Sequence, residues 1–257
     1  MTTELLEGKK GAVFGVANHR SIAWAVADLA AQQGALVGVG VQNERMAQAA
    51  GKLVEGRGEF RLFQADLTKD DEIAAAAQQL KEEFGGLDFI VHSVAYALRD
   101  ELAGRFLDTS REGFRVALET SAYSLVALAR AFEPVLNDGA SIVSMTYLGG
   151  ERVLPGYNVM GVAKAALESI TRYLAHDLGG RGIRVNAVSP GPIQTVAARG
   201  IRSFSKVLEV MKERVPLGRL ADQSDVAATT VYLLSDLSRT VTGQVIFVDS
   251  GYHFMGL

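Results

Sequence analysis

Tyr147, Tyr157, Met160 and Lys164 fall within one short stretch in the middle of the sequence. Tyr157 and Lys164 are seven residues apart. That spacing is close to two turns of α-helix, so it predicts a phenol and an ammonium on one helical face. Met160 and Leu167 lie near that face, which makes the lysine an interruption of an apolar stripe. A buried ammonium is costly without a polar partner. A sugar diol would be such a partner; extension of the side chain to solvent is the alternative. A neutral phenol can stabilise negative charge that develops on a nearby oxygen.

A second set of residues suits a dinucleotide. The run Gly15-Val16-Ala17-Asn18-His19-Arg20-Ser21 links an apolar segment to a helical pattern that opens at Ile22. Glycine lets a backbone approach a pyrophosphate closely. The helix start adds free N–H groups and the positive end of its dipole. Ser21 either caps that helix or binds phosphate. The strict Gly-x-Gly-x-x-Gly pattern is missing, so this run is weak by itself. Gln42 follows a second apolar run, where an acidic residue usually holds the ribose of NAD. It can bond a ribose hydroxyl or be merely a polar turn residue, and Arg45 nearby leaves NADPH open. Asp66, next to Leu67, suits either the adenine amino group or a helix cap. Ser93-Val94-Ala95 offers small residues on which a ribose can lie. After Pro190-Gly191-Pro192, the backbone of Ile193 can bind a carboxamide, and Thr195 can reach it or the phosphates.

Each of these segments ends a short apolar run. The runs predict strands at 11–16, 36–41, 60–64, 89–93, 141–145, 183–188 and 245–248. Helical patterns fall at 22–33, 44–54, 70–84, 111–132, 157–178, 207–214 and 224–234. Such alternation predicts an α/β fold: a doubly wound, seven-stranded parallel sheet of Rossmann type. Ligands bind at the carboxyl ends of strands in such sheets. No Pro/Gly/Ser-rich linker divides the chain, so residues 1–257 are read as one domain. The patterns at 111–132 and 157–178 are apolar nearly all round, beyond the stripe a sheet requires. The excess predicts contact with a second subunit, or else burial under a loop.

The chain has 257 residues, 48% of them hydrophobic, enough for a sizeable core. Its formal net charge of -3 gives no bias toward nucleic acid or membrane surfaces. It has no cysteine, which removes disulfides and thiol catalysis. No apolar run reaches the roughly 20 residues of a membrane span, and no secretory signal is evident, so a cytoplasmic protein is expected. Hydrolase, P-loop and zinc-protease motifs are absent, and His19, His92, His176 and His253 have no metal-ligand spacing. No metal is expected. His92 reads as a core residue rather than a base.

The run Tyr157-Asn158-Val159-Met160-Gly161-Val162-Ala163-Lys164, with Tyr147 ten residues before Tyr157, carries a resemblance. It resembles the short-chain dehydrogenase/reductase superfamily and, within it, the enoyl-acyl-carrier-protein reductases. Most members of the superfamily carry their tyrosine where Met160 stands; the enoyl reductases use the longer spacing seen here. Ser21-Ile22, Gln42, Asp66 and Ser93-Val94-Ala95 match that family's cofactor positions. Val94-Ala95 stands where Ile-Gly is commoner, and Leu67 where Val is. The resemblance spans essentially the whole chain, to Val248-Asp249-Ser250-Gly251. It implies NADH as cofactor, ahead of NADPH, and reduction of the trans-2 double bond of a fatty enoyl thioester. It implies that Tyr157 stabilises the enolate oxygen and that Lys164 holds the nicotinamide ribose. Tyr147 either orients substrate or relays a proton, or only packs. Tyr96, Ala97, Tyr147, Tyr157, Met160 and Phe204 would contact the substrate. Residues 195–215, with Ala197, Ala198, Ile201 and Phe204, read as a mobile substrate lid. Between Thr195 and Arg219 stand six basic residues, Arg199, Arg202, Lys206, Lys212, Arg214 and Arg219, against Glu209 and Glu213. That surplus would meet an acidic acyl carrier protein, or is a charged surface with no partner. The assembly expected is a homotetramer. A β-ketoacyl reductase of the same superfamily and a non-catalytic dinucleotide-binding module are the rival readings.

Overall fold

A computed structural model describes residues 4–193, 208 and 211–256. Its seven strands are β1 (Lys10–Phe14), β2 (Leu36–Val41), β3 (Phe60–Gln64), β4 (Leu87–His92), β5 (Leu136–Met145), β6 (Arg184–Pro190) and β7 (Val245–Val248). They form one parallel sheet in the order β3-β2-β1-β4-β5-β6-β7. The helices are α1 (Ile22–Gln32), α2 (Glu44–Val54), α3 (Asp70–Phe84), α4 (Arg111–Leu118), α5 (Ser124–Phe132), α6 (Val159–Leu178) and α7 (Gln223–Leu234). The doubly wound expectation holds. The chain leaves β1 toward β2 and β3, then returns to place β4 on the other side of β1. That reversal opens a crevice between the ends of β1 and β4, where such sheets take ligands.

Both faces of the sheet are covered, so the central strands are buried without alternation. Val26 of α1, Ala50 of α2 and Val231 of α7 pack with Val13, Val39 and Val91 on one face. Leu80 of α3, Leu128 of α5 and Leu167 of α6 pack with Ile90 and Ile142 on the other. Each fully buried leucine or valine contributes roughly 1.5–3 kcal/mol relative to exposure. Phe14 anchors the crevice floor, edge-on to Phe63 at 5.4 Å and to Phe132 at 5.7 Å. A side chain at Gly40 would strike Phe14 at 2.7 Å, so β2 stays bare there.

Three expected elements differ from what forms. The pattern at 111–132 is not one helix: a π-helical turn, Glu119–Tyr123, separates α4 from α5. Hydroxyls accompany the break, one bonding back along the helix and one bonding a distant loop. Ser124 donates to Thr120 O at 2.7 Å, and Ser121 bonds outward to Tyr96. Helix α6 opens at Val159, so Tyr157 precedes it. Asn158 between them has φ 38 and ψ -119, a positive-φ turn conformation outside the left-handed helical region. β5 begins at Leu136, ahead of an exposed Asn137-Asp138-Gly139 that masked it in the sequence. Of the expected helix at 207–214, residues 208 and 211–214 are helical and the others lie outside the described residues.

Phe114, Tyr123, Val162 and Tyr173 stay 36% or more exposed on α4, the π turn and α6. Burial under a loop therefore does not account for the apolar excess of these helices.

Candidate active site

The carboxyl ends of β1–β6 border one cavity of about 1110 Å³. Gly15, Ser21, Ile22, Gln42, Asp66, Leu67, Ser93, Val94, Ala95 and Ile193 line it. So do Tyr96, Ala97, Tyr147, Tyr157, Met160 and Lys164. The structure thus brings together every expected site residue it describes. Thr195, Phe204 and most of the expected 195–215 lid lie outside the described residues.

Gly15 has φ 101, a conformation that favours glycine, and a Cβ there would sit 2.1 Å from the Ser93 carbonyl oxygen. The ends of β1 and β4 therefore touch backbone to backbone, leaving the crevice wall free of side chains. Ser21 takes up its capping alternative: its Oγ accepts from Trp24 N at 3.4 Å and donates to Asn18 O at 2.6 Å. It still borders the cavity. The first turn of α1 carries no acidic residue, so its N–H groups and dipole remain available to an anion. At the far end, Gln42 donates to Asp66 Oδ2 at 3.3 Å. Asp66 does not cap α3, whose N-cap is Lys69; it accepts instead from Thr68 N and Oγ1 at 3.0 and 2.8 Å. Burial pushes its carboxyl up, but the Thr68 and Gln42 bonds prevail and hold it below its ordinary value. Arg45 is exposed and does not border the cavity. A bare glycine wall, an open helix start and a polar far end fit a dinucleotide.

At the other end, the rings of Tyr147 and Tyr157 meet edge-on at 5.2 Å. Tyr157 and Lys164 do not share a helix, since the Asn158 turn lies between Tyr157 and α6, yet they border the same cavity. Lys164 is 5% exposed and donates to the Met145 carbonyl at 2.7 Å. That bond takes one of its three donors. Burial lowers the ammonium to about 8, partly offset by Glu168. Burial raises Tyr147 to about 12 and Tyr157 further still, so both phenols remain neutral donors across the physiological range.

His92 is fully buried, and Ser124 Oγ lies 2.8 Å from its Nε2. Ser124 spends its proton on Thr120 O, so Nε2 must be the donor. Burial and then Lys164 lower its pKa to about 3. It is a core residue, as expected, not a base.

Sequence reasoning missed three residues. Ser121 Oγ accepts from Tyr96 N and donates to Tyr96 O, both at 2.9 Å, which pins the loop after β4. Thr146 lines the cavity and donates to Glu168 at 2.6 Å. Glu168 is 7% exposed, and burial raises its carboxyl. A hydroxyl and a carboxylate inside apolar helical stretches, and a hydroxyl just after β5, were the available signal. One expected basic residue is committed elsewhere: Arg219 binds Asp225 at 2.7 and 2.8 Å.

Comparison with known proteins adds the following. A family model described as enoyl-(acyl carrier protein) reductase matches residues 15–253. An enoyl-[acyl-carrier-protein] reductase [NADH] of Bacillus cereus is 48% identical over 256 residues, 98% of this chain and 100% of that one. An enoyl-[acyl-carrier-protein] reductase [NADH] of Rhizobium meliloti is 47% identical over 253 residues, 98% of this chain and 93% of that one. Among solved structures, the Bacillus cereus reductase with NADP+ and indole naphthyridinone superposes with a TM-score of 0.96 at 48% identity. The superposition covers 98% of this chain and 99% of that one.

Proposed function

The chain belongs to the enoyl-(acyl carrier protein) reductase family, and from that premise we propose that it reduces the trans-2 double bond of enoyl thioesters with NADH. This is the last reductive step of fatty acid elongation. The observation that carries the reading is the meeting of Tyr157, Tyr147 and Lys164 in the same cavity as the bare Gly15 wall. When bound, the dinucleotide supplies a hydride to the β-carbon of the substrate. Negative charge would then develop on the thioester oxygen, and uptake of a proton from solvent at the α-carbon would complete the saturated thioester. Tyr157, held neutral by burial, donates to that oxygen and stabilises the charge without bearing any beforehand. Lys164, fixed by Met145, offers its remaining N–H donors to the nicotinamide ribose and makes the local potential positive. Tyr147, edge-on to Tyr157, limits where that ring can sit. Gly15, Ser21, Ile22, Gln42, Asp66, Leu67, Ser93, Val94, Ala95, Ile193 and Thr195 hold the rest of the dinucleotide. Tyr96, Ala97, Met160 and Phe204 receive the acyl chain, with residues 195–215 as its lid.

NADH is favoured over NADPH by charge. Among the described residues, the cations bordering the cavity are Arg99, Arg115 and Lys164, and none comes from the β2–β3 end. Asp66 there carries an anion that would repel a 2′-phosphate. The thioester arrives on an acyl carrier protein, drawn to the basic residues between Thr195 and Arg214. The exposed apolar sides of α4 and α6 are read as contacts of a homotetramer. No described helix is long and apolar enough to cross a membrane. A cytoplasmic site of action and the absence of nucleic-acid or membrane partners complete the reading.

The test offers NADH with crotonyl or acetoacetyl thioester and follows the nicotinamide absorbance. Turnover on the crotonyl compound is expected. Turnover on acetoacetyl alone would make the protein a carbonyl reductase, and binding of NADH without turnover on either would make it a binding module.

A further inference from the structure

Glu168 takes no part in the chemistry above, yet it is buried beside it. It stands on α6 one turn after Lys164. The two residues are tied through a short ring of contacts. Lys164 Nζ donates to Met145 O at 2.7 Å, and the next residue, Thr146, donates its hydroxyl to Glu168 Oε1 at 2.6 Å. Gly150 closes the other side: a Cβ there would lie 2.8 Å from the same oxygen. A carboxylate so enclosed is costly unless something compensates its charge. Among the described residues, no arginine or lysine forms an ion pair with it within 4.0 Å.

We propose that Glu168 is a positioning residue for Lys164: its carboxylate, locked by Thr146, holds a counter-charge one turn away and keeps the ammonium protonated in the cofactor site. The charged and titratable groups facing the pair come from four places. Lys164 and Arg172 lie on α6, and Glu151 follows β5. His92 on β4 is neutral, and the phenols of Tyr147 and Tyr157 are neutral too. Glu151 and Arg172 act on Glu168 with opposite signs. Arginine stays charged throughout, so of the two cations Lys164 is the one whose protonation Glu168 can set, and Glu168 favours its charged form.

The inference rests on Lys164 serving the dinucleotide, so the experiment has two separate arms. In the first, NADH affinity is titrated against pH for the wild type, Glu168→Gln and Glu168→Asp. The glutamine can still accept from Thr146 but carries no charge. Its alkaline loss of affinity is expected to begin about one pH unit earlier, the size usual for removal of a neighbouring opposite charge, giving roughly five-fold weaker binding near pH 8. Glu168→Asp keeps the charge and should keep the wild-type midpoint. A purely structural role predicts instead weaker binding at all pH values with no movement of the midpoint, and that outcome overturns the proposal. The second arm uses the unsubstituted enzyme without cofactor and so stands even if the glutamine variant does not fold. With 13C-carboxyl-labelled glutamate, the Glu168 signal should show a second inflection where Lys164 loses its proton, as coupled sites do. A single inflection refutes the coupling whatever Lys164 binds. Failure of the ribose role alone would show as coupling present but NADH affinity insensitive to pH.

Discussion

Replacing Gly149 with alanine tests whether Tyr157 must be held where it stands. Gly149 lies in the turn Leu148–Gly150, just behind the tyrosine ring. A methyl group there would sit 2.4 Å from Tyr157 Cδ1 and 2.6 Å from Cε1. Non-bonded carbons rest about 3.5–4.0 Å apart, so the ring must retreat by roughly 1.1 Å or more, 3.5 minus 2.4. Tyr147 blocks one direction of retreat, edge-on at 5.2 Å. The ring therefore moves within the cavity and carries its hydroxyl away from the substrate oxygen. A misplacement of about 1 Å costs on the order of 100-fold in rate, or about 2.7 kcal/mol of barrier. The substitution leaves the Lys164–Met145 bond and the Gly15 wall untouched, so NADH affinity should hold while kcat falls. Steady-state oxidation of NADH by crotonyl thioester gives kcat, fluorescence titration gives NADH affinity, and a thermal melt confirms folding. A folded Gly149→Ala enzyme that turns over at the wild-type rate would refute the claim that the position of this phenol governs the reaction.

Three further expectations address the rest of the site. NADH affinity should hold steady below about pH 8 and decline above it, because the cation is the binding form and Lys164 loses its proton there; affinity unchanged well into alkali would remove the lysine from the cofactor site. Gly15→Ala must place a Cβ 2.1 Å from Ser93 O in a backbone with φ 101, at a local strain of about 1–3 kcal/mol. NADH binding should weaken by tenfold or more, and an alanine variant that binds NADH normally would show that the loop does not cradle the phosphates. Ser121→Ala removes both bonds to Tyr96 and should cost about 1–3 kcal/mol of stability. It should also raise KM for the acyl thioester more than it changes NADH affinity; urea midpoints and KM both at wild-type values would contradict the pinning role.

The sheet was legible because its strands are short apolar runs ended by small or turn-forming residues, such as Gly15 and Ser93-Val94-Ala95. Buried parallel strands carry their signal in composition, and the order of the runs fixes the crossovers. The junction before α6 was not legible. Tyr157 has the right spacing to share a helix with Lys164, and no local rule announces that Asn158 takes a positive φ. The two groups still border one cavity, so the spacing led to the right site through the wrong geometry. The break at Glu119–Tyr123 was hidden because apolar periodicity continues through it; the hydroxyls of Ser121 and Ser124 act on partners distant in sequence. Glu168 escaped for a similar reason. A lone carboxylate on a helix reads as surface until its tertiary partner, Thr146, is known.

The wide turn between α4 and α5 spends one more residue than a regular helix would. A chain shortened by a single residue there could close into an uninterrupted rod with better internal bonding, and by local criteria it would be the sounder helix. Because the wide turn itself absorbs that residue, α4 and α5 would keep nearly the same relative orientation. What would be lost is local: the placement of Ser121 and Ser124 that lets them bond the loop after β4 and His92. Regularity in that helix would thus be gained at the expense of the anchored loop beside it.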